Sequence, residues 1–411
     1  MTTIKKLPAV VFGIDTPIGL TIVRDLGRHG VEVHGIARSE QALGLASRYL
    51  RSGLLRAKDE EGVIAQLAVL GARLGGACLF AISESDIALL NRHRTQLSDY
   101  KLIFADKERM DSVLDKSRTY QAAARVGIRA PRTEQVFSMA EAEALCESLR
   151  FPVVLKWANP LMVGRAVRAS GLKIEKTVYC HTPAQLLAYL KRFEPVGLFP
   201  LIQEYCPGYG LGQFILIKNG HVHYTFQHKR LHEWPPEGGF SSMCESVDRD
   251  EHTELMTKSV ALLRELGWEG VAMVEYRHDP ITGESALMEV NGRFWGSLPL
   301  AYHAGANFPM LCYRLLGLGE PVGNSPYRPG MRCRFMVPET KRLLRILFGQ
   351  RHIADKTLVF RRLPTLVSFC ADFLRPNSRY YVFDLHDPKP FFADLGQMFK
   401  KGVHSVLRRP A

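Results

Sequence analysis

Met288-Glu289-Val290-Asn291-Gly292-Arg293, read together with Glu275 upstream, is the stretch on which the interpretation of this chain turns. Residues 271–277 and 285–291 have the composition of two strands, separated by the turn-forming run Asp279-Pro280-Ile281-Thr282-Gly283. A hairpin centred on Thr282 makes Glu275 and Glu289 cross-strand partners, each seven residues from the centre. Asn291 lies two residues beyond Glu289, so the pleat turns it to the same face. Two like charges opposed on a sheet repel by roughly 0.2–1 kcal/mol, and a divalent cation between them reverses that sign. Two carboxylates and an amide oxygen are hard ligands that suit Mg²⁺ carrying substrate phosphates. The bland alternative is a solvated hairpin face, with Asn291-Gly292 as a turn dipeptide.

The rest of the chain bounds what such a site can serve. Its 411 residues allow two to three domains with sizeable cores, and 46% apolar with 23% charged residues is ordinary globular composition. The cysteines at 78, 146, 180, 206, 244, 312, 333 and 370 form no C-x-x-C pair. That argues against a zinc site or a disulfide framework and leads us to expect a reducing, cytoplasmic setting. No cleavable signal pattern and no spanning apolar run is expected. The net charge is +13, and residues 330–411 hold 16 Lys/Arg against 6 Asp/Glu, about +10 of it. Nucleic acid is not expected, because aromatic stacking residues are not interleaved with these charges. The basic C-terminal region suits a peripheral membrane contact or an acidic partner. Within it, the run from Lys341 to Phe348 reads as a basic, apolar helix, an ordinary packed helix with basic solvent-facing residues being favoured over one lying on a membrane surface.

The first hundred residues alternate strand and helix signals. Ala9–Phe12 is an apolar strand, Gly13 to Gly19 a turn into a helix ending at Gly30, and residues 31–36 and 78–82 are further strands. This pattern predicts a parallel sheet with helices on its faces. The Gly13/Gly19 loop lacks the G-x-G-x-x-G spacing of a dinucleotide site. Ser83-Glu84-Ser85-Asp86, at a strand's carboxyl end, is the better place for a substrate contact. Further on, residues 118–125 predict a helix and 152–156 a strand ending in Lys156. Gly164 and Gly171 predict a flexible stretch before a strand at 173–179. Thr182-Pro183 opens a helix. Strands follow at 201–205, 213–218 and 221–228, the last two joined by Asn219-Gly220, and a helix is expected at 251–266.

Taken in order, Lys116, Lys156, Gln203-Glu204-Tyr205, Glu275 and Glu289-x-Asn291-x-Arg293 resemble the ATP-grasp superfamily, whose members include biotin carboxylase, D-alanine–D-alanine ligase and D-aspartate ligase. The resemblance covers about residues 8 to 325. It implies an N-terminal Rossmann-like parallel α/β domain (1–110) and a two-lobed ATP-grasp α+β module (111–325, small lobe about 150–205). A basic C-terminal extension (326–411) follows. It also implies a monomer or homodimer binding ATP with Mg²⁺ or Mn²⁺. By that likeness Lys116 and Lys156 neutralise ATP phosphates, and Gln203, Glu204, Tyr205 and Cys206 form the adenine hinge. Gln213 stands where many relatives bind ribose with an acid. Glu275, Glu289 and Asn291 would be the metal ligands. Arg293 would stabilise the reacting centre, and Arg230, within His228-Lys229-Arg230, could bind an acidic substrate or the transferring phosphate. The implied reaction activates a small-molecule carboxylate as an acyl phosphate and joins it to an amine. A bicarbonate-activating carboxylase and a nucleotide-binding accessory or scaffold protein are the alternatives.

Overall fold

The computed structural model describes residues 6–157, 160–175 and 177–396. Its three sheets follow one another along the chain. The first is parallel, with strands β1 (Ala9–Phe12), β2 (Val33–Ala37), β3 (Ser52–Leu55), β4 (Ala77–Ala81) and β5 (Tyr100–Leu102) in the order β3-β2-β1-β4-β5. β1, β2 and β4 are buried throughout, as strands covered on both faces must be. Gly19 lets the helix Pro17–Arg28 lie against this sheet, since a Cβ there would stand 2.3 Å from the Gly13 carbonyl oxygen.

The second sheet is small and antiparallel: β6 (Thr133–Glu134), β7 (Val153–Lys156), β8 (Val178–Cys180) and β9 (Leu201–Glu204), in the order β6-β9-β7-β8. The expected flexible stretch is corrected here. Gly164 lies inside a helix, Pro160–Ala169, and the following strand is only Val178–Cys180. A single Gly costs a helix about 1 kcal/mol, too little to break one that neighbours support. The helix Pro183–Lys191 starts as expected, the Thr182 hydroxyl accepting from the Gln185 N–H at 3.3 Å.

The third sheet is the frame of the molecule. It comprises β10 (Tyr209–Lys218), β11 (His221–Trp234), β12 (Phe240–Ser246), β13 (Gly270–His278), β14 (Ser285–Asn291), β15 (Arg332–Arg334) and β16 (Ser378–Tyr380). Their order is β14-β13-β10-β11-β12-β15-β16, antiparallel except for the β15/β16 pair. Two features differ from expectation. β11 runs on to Trp234 rather than stopping near His228, and residues beyond 326 supply two strands of this sheet.

The faces of this sheet explain where a site can form. One face buries Leu211, Ile215, Ala272, Val274 and Tyr276 against the helix Thr253–Glu265. The other is divided along its length. Phe214, Leu216, Phe226 and Met273 join the core that includes the first sheet, with Trp295 stacked on Phe214 at 4.0 Å. The remaining positions of that face are polar and open into a cleft. Among the described residues no helix is long and apolar enough to cross a membrane.

Candidate active site

β13 and β14 bring the two acids together, by a route other than a simple hairpin. His278 pairs with Ser285 and Tyr276 with Leu287, but Glu275 pairs with Glu289, so Met288 is an extra residue. Without that bulge Glu289 would face away from Glu275, because one residue of slip reverses every side chain. Asn291 shares the face, its amide nitrogen donating to Glu289 Oε1 at 3.0 Å. Its oxygen accepts from Arg293 Nη2 at 3.0 Å, and Arg293 Nε donates to Glu84 Oε1 at 3.1 Å. Gly292 does not serve as a turn residue here. A Cβ at that position would meet the Trp268 indole at 2.3 Å, so the glycine is needed for space.

Lys116 is the first residue of the helix Lys116–Arg125, whose start is fixed by Asp115 accepting the Arg118 N–H at 3.1 Å. It is exposed and lines a pocket of about 140 Å³ with Glu84, Tyr120, Glu289 and Asn291. Lys156 ends β7, half-buried, and donates to Gln203 Oε1 at 2.9 Å. The other end of the Gln203 amide donates to Thr133 Oγ1 at 3.1 Å. Burial lowers the Lys156 pKa and the nearby Lys116 ammonium lowers it further, against the pull of Glu289 and Glu275. Burial alone would raise Glu289, but Asn291, Lys116, Arg230 and Arg293 together hold its carboxyl below the usual value. Lys116, Glu289 and Asn291 line one pocket, with Glu275 paired to Glu289, Arg293 bonded to Asn291 and the Lys156 ammonium within electrostatic reach of both acids.

Arg230 also enters this cleft, though its partners are protein groups. Its Nη2 donates to Glu275 Oε2 at 2.6 Å, and its Nη1 to Glu233 Oε1 at 3.3 Å and to the Gly239 carbonyl at 3.0 Å. Arg277 holds the other side of Glu233 at 3.3 Å, giving alternating charges Glu275–Arg230–Glu233–Arg277. The guanidinium lies over β10 at Gly210, where a Cβ would stand 2.6 Å from Arg230 Cδ. Burial would lower the arginine's pKa, but Glu275 and Glu233 outweigh it and raise it. Glu275 is pushed up by burial, with Arg230 opposing and Glu289 and Glu233 adding. His228 sits beside Gly212, its Nδ1 on Ser297 Oγ at 3.0 Å and its Nε2 buried without a partner. Sequence reasoning quoted this residue in the run with Arg230 but gave it no role; the signal available was the alternation Gly210-x-Gly212, which leaves room for a neighbour's large side chains.

The hinge residues follow β9. One Glu204 oxygen takes the Arg129 guanidinium and the other accepts the Arg132 N–H at 3.0 Å. The Tyr205 hydroxyl donates to Asp355 Oδ2 at 3.0 Å, so the last fifth of the chain reaches the hinge. Cys206 is half-buried beside Arg129 with its thiol pushed up by burial.

Gln213 is a correction. It pairs with Val274 on β13, so it points to the opposite face from Glu275. It is fully buried, donating to Gln227 Oε1 at 3.0 Å and accepting from Ser259 Oγ at 2.6 Å. A ribose cannot reach it. Of the Ser83–Asp86 run, Glu84 faces the cleft, whereas Asp86 is buried by ion pairs with Arg38 at 2.8 Å and Arg56 at 2.7 Å. A larger cavity of about 700 Å³, lined by Arg28, Tyr302, Arg328 and Arg379 among others, lies elsewhere and contains none of these residues. The donor chemistry, rather than size, identifies the cleft as the candidate site.

No protein-family model matches the chain, and no curated protein matches it in sequence. Solved structures do match. The L-amino acid ligase from Bacillus licheniformis shares 17% identity over 80% of this chain and 79% of its own, with TM-score 0.57. The N5-carboxyaminoimidazole synthetase of Staphylococcus aureus superposes with TM-score 0.60 at 13% identity, covering 84% and 86% of the two chains. A biotin carboxylase from Campylobacter jejuni gives 0.58 at 16% identity, over 80% and 74%. These neighbours are ATP-grasp enzymes, and the chain has the ATP-grasp fold, preceded by the parallel α/β domain that the sequence predicted.

Proposed function

We propose that the protein is an ATP- and Mg²⁺-dependent (or Mn²⁺-dependent) ligase that activates a carboxylate as an acyl phosphate and joins it to an amine. The observation that carries this reading is the meeting of Lys116 and Lys156 with Glu275, Glu289 and Asn291 across one cleft. A lysine whose pKa is depressed by burial and by a second lysine marks a place short of anions. Triphosphate oxygens would supply them. The fold supports the proposal through its neighbours, and the name of the L-amino acid ligase makes amino acids the first substrates to try.

The donor set fits a hard divalent cation. Among the described residues no three His, Cys, Asp or Glu side chains gather into a metal cluster, so the candidate ligands are two carboxylates and one amide. Glu289 and Asn291 would hold the ion, and Glu275 would join them on exchanging its Arg230 partner. Bound there, the ion would neutralise phosphate oxygens. The chain's own groups do the rest. Lys116 and Lys156 orient the phosphates, and main-chain groups at 204–206 face the adenine edge. Arg293 and Arg230 offset the charge of the transferring phosphoryl group. A substrate carboxylate oxygen attacks the γ-phosphorus, and the bond to the bridging oxygen breaks to release ADP. The amine nitrogen then attacks the acyl carbon, phosphate leaves, and the nitrogen's proton passes to water.

The test is ADP release on mixing the protein with ATP, Mg²⁺ and pairs drawn from carboxylates and amines. Release requiring both members of a pair supports the ligase. Release with bicarbonate and no amine would replace it with a carboxylase. ATP binding with no ADP release across the screen would replace it with an accessory nucleotide-binding role.

A further inference from the structure

The residues between 341 and 375 concentrate exposed large apolar side chains, Leu344, Phe348, Val359, Leu363, Val367 and Leu374 among them. The helix Met336–Phe348 buries Leu343 and Ile346 and turns Lys341, Leu344 and Phe348 outward at helical spacing, Leu344 50% and Phe348 79% exposed. The helix Arg362–Ala371 buries none of its residues, although six of its ten are apolar. Leu363, Leu366, Val367 and Cys370 make one stripe along it, all exposed. Its attachment is on another side, where Arg334 lies over the rings of Phe369 and Phe373 at 4.6 and 4.5 Å.

Charge on this surface has one sign. The acids between 341 and 375 are Asp355 and Asp372, and both are buried, 2% and 1% exposed. Asp355 is taken up by Tyr205 and Thr357, and Asp372 by Arg332 and Arg375. Lys341, Arg361 and Arg362 remain exposed beside the apolar side chains. We propose that this face docks on an anionic lipid surface, the stripe of Arg362–Ala371 entering among the headgroups and the basic residues meeting acidic lipids. Apolar side chains flanked by cations with no exposed acid match a bilayer interface.

The full chain is tested by sedimentation with vesicles of phosphatidylcholine mixed with phosphatidylglycerol, against pure phosphatidylcholine. Binding to the mixed vesicles alone, weakened by added salt, is expected. A Leu363→Gln, Val367→Gln variant should lose about tenfold in partitioning, and Arg361→Gln, Arg362→Gln a similar amount. Both should keep the parent's circular dichroism and nucleotide turnover, since the altered side chains are exposed. Failure to bind mixed vesicles, or equal binding by parent and variants, overturns the proposal. So does a lipid-free dimer in sedimentation velocity that the apolar variant dissociates, because the face would then belong to a second copy.

Discussion

Arg230 crosses β10 above Gly210 and sets its guanidinium 2.6 Å from the Glu275 carboxylate. The pair is nearly dry, with side chains 12% and 13% exposed. Removing one partner therefore strands the other charge. Arg230→Ala should cost roughly 3–5 kcal/mol in denaturant unfolding. Adding Glu275→Gln to it should recover much of the loss.

Glu289 keeps a solvent-accessible side chain at the lined pocket, and its charge acts on both Lys116 and Lys156. Glu289→Gln should lower ATP turnover by about a hundredfold or more while leaving the thermal midpoint close to the parent's. Steady-state ADP release and calorimetric melting, run side by side, check both halves.

Lys156 has its pKa depressed in the free protein, first by burial and then by Lys116. Bound phosphate would raise it. Between those two values ATP binding takes up a proton, so affinity falls as pH climbs through the depressed pKa. Well below it the lysine is charged in both states and the dependence vanishes. Titration calorimetry in buffers of different ionisation enthalpy should detect the uptake, and Lys156→Met should abolish it.

His228 is buried, and burial followed by Arg230 lowers its pKa well below the usual 6.5. The unfolded chain gains a proton below pH 6.5 that the folded protein refuses. Stability present above that pH is lost as it falls, by about 1.4 kcal/mol per pH unit from this group. His228→Gln should flatten the acid side of a stability-against-pH curve.

Much of the site was legible because its signals are local. The run Asp279–Gly283 announced a hairpin, and the spacing to Glu275 and Glu289 named the right pair. The bulge at Met288 was not legible, since an odd loop and an even loop plus one extra residue give the same partners. Gln213 was misplaced because its face depends on β10's register with β13, set by contacts about sixty residues apart. Arg230 was assigned to the cleft but not to Glu275, which is visible only once Gly210 is known to lie beneath it. Gly164 suggested a loop because tertiary support for a helix has no mark in the sequence nearby.

The large sheet ends at β16, a strand of three residues, paired with β15, which is equally short. Such a rim gives another chain little backbone to pair with. A protein cut before Arg332 would lose both strands and bare the longer β12, seven residues from Phe240 to Ser246. Its unpaired amides and carbonyls would then lie open to a strand of another chain, a hazard that β15 covers in the intact sheet.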